Sequence, residues 1–127
     1  LIGWDGLPAS EYCQLNIPIS KTHLDNLRLI AGAKGKNLAA EMRDSFAQYL
    51  ESSQQPIQRR SEGGETNTVV SFPRIDLQRL YGVEFGEGAT PADVFHHAMT
   101  ATVAAAMNDP ELQAKIRDYQ RQQEELL

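Results

Sequence analysis

Cys13-Gln14-Leu15-Asn16-Ile17-Pro18-Ile19-Ser20 alternates strictly. Leu15, Ile17 and Ile19 fall on one side, Gln14, Asn16 and Pro18 on the other. Successive side chains of a strand point to opposite faces, so this run reads as a half-buried strand. Proline has no N–H for a ladder, which restricts the strand to an edge or to a two-stranded ribbon. Outward from it, Ser20 is placed to cap a helix that carries Leu24, Leu27 and Ile30 at helical spacing. Gly35 suits the left-handed residue that ends such a helix. Asn37 then caps a second helix, with Met42, Phe46, Tyr49 and Leu50 on one stripe. The order is strand, helix, tight turn, helix.

The same order recurs further along. Thr68, Val70 and Phe72 alternate with Asn67, Val69 and Ser71, and Leu77, Leu80 and Val83 follow at helical spacing. Gly88 precedes Thr90-Pro91-Ala92-Asp93, which supplies a Thr cap, a first-turn proline and an acid three residues after the cap. Phe95, Met99, Thr102 and Val103 form the second stripe. The two segments superpose without a gap at an offset of 53 (88 − 35 for the glycines). That offset pairs Ile17 with Val70, Ile19 with Phe72, Leu24 with Leu77, Asn37 with Thr90 and Phe46 with Met99. Identities are few, so the repeat rests on structural signals recurring at one offset. A lone strand with two short helices cannot bury its apolar face, and a second copy supplies the missing strand. Strands over 13–19 and 66–72 are therefore expected to pair antiparallel.

Composition breaks mark the boundaries. Residues 1–11 carry Gly3, Gly6 and Pro8 and read as an irregular arm, with Trp4 and Leu7 to pack it on the core. Residues 52–65 hold one large apolar residue, Ile57, beside Pro56, Gly63 and Gly64, the turn chemistry of a linker. Asp109-Pro110 opens a polar helix with a narrow stripe of Leu112, Ile116 and Tyr119. The expected organisation is one domain over 1–108 and a helical tail over 109–127. Within the domain, unit one is 12–52, the linker 53–65 and unit two 66–108. The fold class is mostly α with a two-stranded antiparallel ribbon. The tail either lies on the domain or docks a second copy or a partner protein.

The 127 residues include 12 Lys+Arg and 17 Asp+Glu, a net charge of −5. Residues 14–40 hold Lys21, Arg28, Lys34 and Lys36 against Asp25, a balance of +3. Residues 67–93 hold Arg74 and Arg79 against Asp76, Glu84, Glu87 and Asp93, a balance of −2. A single cysteine, Cys13, excludes an internal disulfide framework and a multi-Cys zinc site. There is no Gly-rich phosphate loop, zinc spacing or nucleophile elbow. His96 and His97 are adjacent, diverge by ~100° on a helix and do not easily share a metal. Neither enzymatic activity nor a cofactor or metal is expected. No apolar run approaches the ~18 residues of a membrane span. No signal-peptide pattern opens the chain, so a cytoplasmic location is expected, although a start at Leu1 leaves a trimmed leader open.

The strand-helix-turn-helix unit resembles the ribbon-helix-helix family of Arc and MetJ, obligate dimers built from two such units. Gln14-Leu15-Asn16-Ile17 matches the family's alternation of reading and core side chains. Gly35, Asn37, Glu41 and Met42 match its turn pattern; unit two matches at Gly88 and Thr90 but has Val94 in place of the Glu. The family's basic residue late in the strand is missing, since Pro18 and Ser71 stand there. Two units in one chain are similar to the tandem forms, among them the TraY-type relaxosome proteins and the VirC-operon type of T-DNA accessory protein. Ser20-Lys21-Thr22 ahead of Asp25-Asn26-Leu27, and Phe72-Pro73, echo the latter.

The resemblance implies a tandem pseudo-dimer that binds double-stranded DNA, with Gln14, Asn16, Asn67, Val69 and Ser71 facing base edges in the major groove. It also implies phosphate contacts at the helix starts Asn37 and Thr90, and Lys21, Lys34, Lys36, Arg59 and Arg60 are candidates to join them. The role implied is an accessory factor in conjugative or T-DNA transfer, beside a relaxase or other transfer protein. Its alternatives are a transcriptional repressor or antitoxin-like regulator, and a protein-interaction scaffold on the same fold. Pro18, Val69 and the weak basicity speak for the scaffold. The charge division predicts an asymmetric target held mainly by unit one.

Overall fold

The structure, a computed structural model, describes residues 12–52, 56–60 and 66–126. The expected arm, with Trp4 and Leu7, and parts of the linker lie outside these. The elements run β1 (Tyr12–Ile19), α1 (Lys21–Ala33), α2 (Leu38–Ser52), β2 (Thr66–Pro73), α3 (Arg74–Gln78), a 3-10 turn (Arg79–Gly82), α4 (Pro91–Met107) and α5 (Pro110–Glu125). The described chain is mostly helical, with one two-stranded antiparallel sheet of β1 and β2.

The sheet pairs Gln14 with Ser71, Leu15 with Val70, Asn16 with Val69 and Pro18 with Asn67. A two-stranded sheet is all edge, which is why Pro18 is tolerated. Ile17, Ile19, Val70 and Phe72 turn inward and are buried, as the alternation predicts. They meet Leu24, Leu27 and Ile30 of α1, Met42 and Phe46 of α2, Leu77 of α3, and Val94, Phe95 and Met99 of α4. Three phenylalanines hold the centre. Phe46 stacks on Phe95 at 4.5 Å between centroids, and Phe72 lies 5.2 Å from each. Such pairs add roughly 0.5–1.5 kcal/mol each beyond the area they bury, so this trio ties α2, α4 and β2 to one point.

The offset of the sequence reappears in the backbone. α1 starts at Lys21 and α3 at Arg74; α2 starts at Leu38 and α4 at Pro91. Gly35 and Gly88 both take positive φ, 73° and 75°, and each leads into the cap of the following helix. The expected caps form. Ser20 Oγ accepts from the His23 N–H at 3.1 Å, and Asn37 Oδ1 from the Ala40 N–H at 2.8 Å. Thr90 and Asp93 make a reciprocal capping box.

Three local expectations change. The helix expected through Leu77, Leu80 and Val83 stops at Gln78 and tightens into a 3-10 turn. Gly82 stands where α1 has Leu29, and glycine costs about 1 kcal/mol inside a helix. Leu80 and Val83 are in consequence only half-buried. The linker, secondly, is pinned. Ile57 is 2% exposed, its N–H donates to Glu84 O at 2.7 Å, and its carbonyl accepts from the Gly86 N–H at 2.8 Å. The segment that replaces the last turns of an α1-like helix thus takes Ile57 as its neighbour. Thirdly, of the two alternatives for the tail the packing matches the first: α5 lies along α1, with Leu112 and Ile116 buried and Tyr119 half-buried.

Candidate nucleic-acid interface

The outer face of the ribbon is built by the side chains that the inward alternation leaves over. Tyr12, Gln14, Asn16, Asn67 and Val69 are exposed, and Ser71 is half-buried. The register arranges the middle of this face as three cross-strand rows: Gln14 with Ser71, Asn16 with Val69, and Pro18 with Asn67. All five expected reading residues therefore share one face. Neither strand contains an Asp or Glu, although the chain as a whole is acidic.

Basic groups stand at both ends of the ribbon. Lys21 opens α1 directly after β1, and Arg74 opens α3 directly after β2. Arg43 of α2 donates through Nη1 to Ser71 O at 3.2 Å, and its guanidinium lies 5.6 Å from the centre of the Tyr12 ring. Sequence reasoning missed Arg43 and Arg74. The offset held a signal for the second, since Arg74 is 53 residues beyond Lys21. Nothing local marks Arg43, because its place depends on α2 crossing the end of β2.

The position 53 residues beyond Arg43 is His96, on α4. Its ring lies 5.7 Å from that of His23 and 5.4 Å from that of His97. His97 donates through Nε2 to the Gln58 carbonyl at 2.7 Å, which ties α4 to the strap of 56–60. Burial pushes the His96 pKa down, and His97, His23 and Arg60 push the same way against an opposing Asp93.

The expected phosphate contacts divide. Lys21 and Arg59 are exposed. Lys36 is held by Asp44 and, at 3.4 Å, by Glu41, and Lys34 meets Glu41 at 2.7 Å. The hydrogen bond to Asp44, against some desolvation, raises the Lys36 pKa. The turn is therefore a neutral cluster of two cations and two anions, and Lys36 is spoken for within it. Arg60 turns to Asp93, with its N–H 3.1 Å and its Nε 3.8 Å from Oδ1. Asp93 also accepts from the Thr90 N–H at 2.7 Å. Burial opposes its ionisation, but the Thr90 and Arg60 N–H bonds hold its pKa below the usual value. Both helix starts thus carry a carboxylate in the first turn, Glu41 in α2 met by Lys34 and Lys36, and Asp93 in α4 met by Arg60; the caps differ, since Asn37 acts alone and Thr90 shares Asp93. The acid three residues after Thr90 is legible in the sequence; its pairing with Arg60 depends on the path of the linker.

Among the described residues, no group of three His, Cys, Asp or Glu side chains could hold a metal. No described helix is long and apolar enough to cross a membrane. Compared with known protein families, curated proteins and solved structures, the chain matches none.

Proposed function

We propose that this chain is a tandem ribbon-helix-helix pseudo-dimer that binds double-stranded DNA by laying β1 and β2 in the major groove. One observation carries the reading: a ribbon face bearing Gln14, Asn16 and Asn67, without an acidic side chain on either strand, in a chain of net charge −5. A two-stranded ribbon fits the major groove, where Asn and Gln bond adenine N6 and N7 in a bidentate way. Lys21, Arg74 and Arg43 at the ribbon ends lie where flanking phosphates would pass.

The register supports the pseudo-dimer. Asn16 stands opposite Val69, the residue 53 positions later. In an antiparallel pair only one row can set a residue against its own repeat counterpart, and a pseudo-two-fold axis would run through that row. The matched helix starts and positive-φ glycines agree with the same axis. By resemblance, the role is that of an accessory factor at a DNA-transfer origin or border, with a repressor as the alternative.

Binding to duplexes from the neighbourhood of the chain's own gene tests this. A shift at ~50 mM salt whose affinity falls steeply as salt rises is expected, because phosphate contacts release counterions. Failure to shift any duplex at that salt rejects the reading. It would favour the scaffold alternative, for which Pro18 in the strand and the exposed Val69 speak.

A further inference from the structure

Val69 occupies the centre of the ribbon's outer face and is 62% exposed. Asn16 lies directly across from it, with Gln14 and Pro18 on the diagonals, and Asn67 and Ser71 flank it on its own strand. Directly opposite Cβ atoms in a ribbon lie ~4.5–5.5 Å apart, so the pair Asn16 and Val69 covers neighbouring groups of one surface. An isolated exposed valine is unremarkable on most surfaces. Here it takes the middle position of a row whose other member is an amide. A valine makes no hydrogen bond, so a polar base edge pressed against it would be desolvated without compensation. In the major groove, thymine alone among the four bases offers an apolar group, its 5-methyl, and an A·T pair shows that methyl beside adenine N6 and N7.

We infer that Val69 reads a thymine 5-methyl group at the centre of the bound site, while Asn16 holds the adjoining adenine. The inference rests on the DNA-binding reading above. It makes the central step directional. The amide of unit one and the methyls of unit two cannot exchange places, so the protein sits on its site in one orientation despite the pseudo-two-fold of its backbone.

The test uses the duplex found by footprinting, with each central thymine replaced singly by deoxyuridine, which removes only the methyl. At one central position the wild-type chain is expected to bind roughly fourfold more weakly, the factor for one methyl taken out of an apolar contact. Val69→Ala is expected to bind the thymine duplex weakly by about the same factor and to show no further loss with deoxyuridine. Val69 is exposed, so its truncation removes strand propensity but no core packing, and an unfolding transition that stays well above the assay temperature separates loss of reading from loss of fold. Equal wild-type affinity for every deoxyuridine duplex overturns the inference while leaving DNA binding intact. Full methyl dependence retained in Val69→Ala also overturns it. Absence of binding to the thymine duplex itself would instead remove the DNA-binding reading on which the inference stands.

Discussion

Gly32 of α1 lies directly beneath the ring of Tyr119 of α5: a Cβ on Gly32 would stand 2.2 Å from Tyr119 Cζ and 2.6 Å from both Cε atoms. No small adjustment absorbs that overlap, so Gly32→Ala must expel the ring. The expected cost in urea unfolding is about 1–3 kcal/mol, the usual range for overpacking. In a Tyr119→Ala background the sign should reverse. There Gly32→Ala gains up to about 1 kcal/mol from helix propensity. A cycle in which the two changes simply add would show that the ring does not rest on Gly32.

Glu41 is 2% exposed and takes both Lys34 and Lys36. Glu41→Gln keeps the shape but removes the charge that these amines meet. Both lysines are partly exposed, so water compensates for part of the loss. We expect about 1–3 kcal/mol of destabilisation, read as a lower denaturation midpoint with unchanged slope. Unchanged stability would mean that the cluster contributes little to the turn around Gly35.

Acid should destabilise the fold through His96. Its pKa is held below the ordinary histidine value, chiefly by burial and then by His97, His23 and Arg60. The unfolded chain therefore binds its proton first as pH falls. The stability this represents is complete above the unfolded value, near ~6.5, and drains as pH drops through the folded value. Thermal scans between pH 7.5 and 5 should show a falling midpoint in the wild type. His96→Gln should flatten that fall, and an equal slope in both proteins would contradict the assignment.

On DNA, Asn16→Ala should cost more affinity than Asn67→Ala. A bidentate amide–adenine pair is worth roughly 1–3 kcal/mol, and with the lysine partners Glu41 and Asp44 counted in, the charge balance is still +2 over 14–44 against −2 over 67–97. Equal losses in a titration at one salt concentration would show that both units grip alike.

What could be read without the structure was local. Alternation at Leu15, Ile17 and Ile19, and the caps at Ser20, Asn37 and Thr90, depend on residues within a few positions of one another, and each formed as expected. The offset carried this information from one unit to the next. What could not be read depended on contacts distant in sequence. Ile57 looked like a stray apolar residue in a linker until Glu84 and Gly86 took its backbone. Lys36 and Arg60 looked like free cations because Asp44 and Asp93 are placed by folding. Arg43 carried no mark at all, yet it reaches the end of the ribbon.

The pinned strap bears on how the two strands stay paired. Both strands of the sheet belong to one chain, so their pairing does not weaken on dilution, as it would in an obligate dimer of separate units. Ile57, bonded to Glu84 and Gly86, fastens the connecting segment to the stretch that follows β2. A connection anchored in this way keeps β2 at high effective concentration beside its own β1.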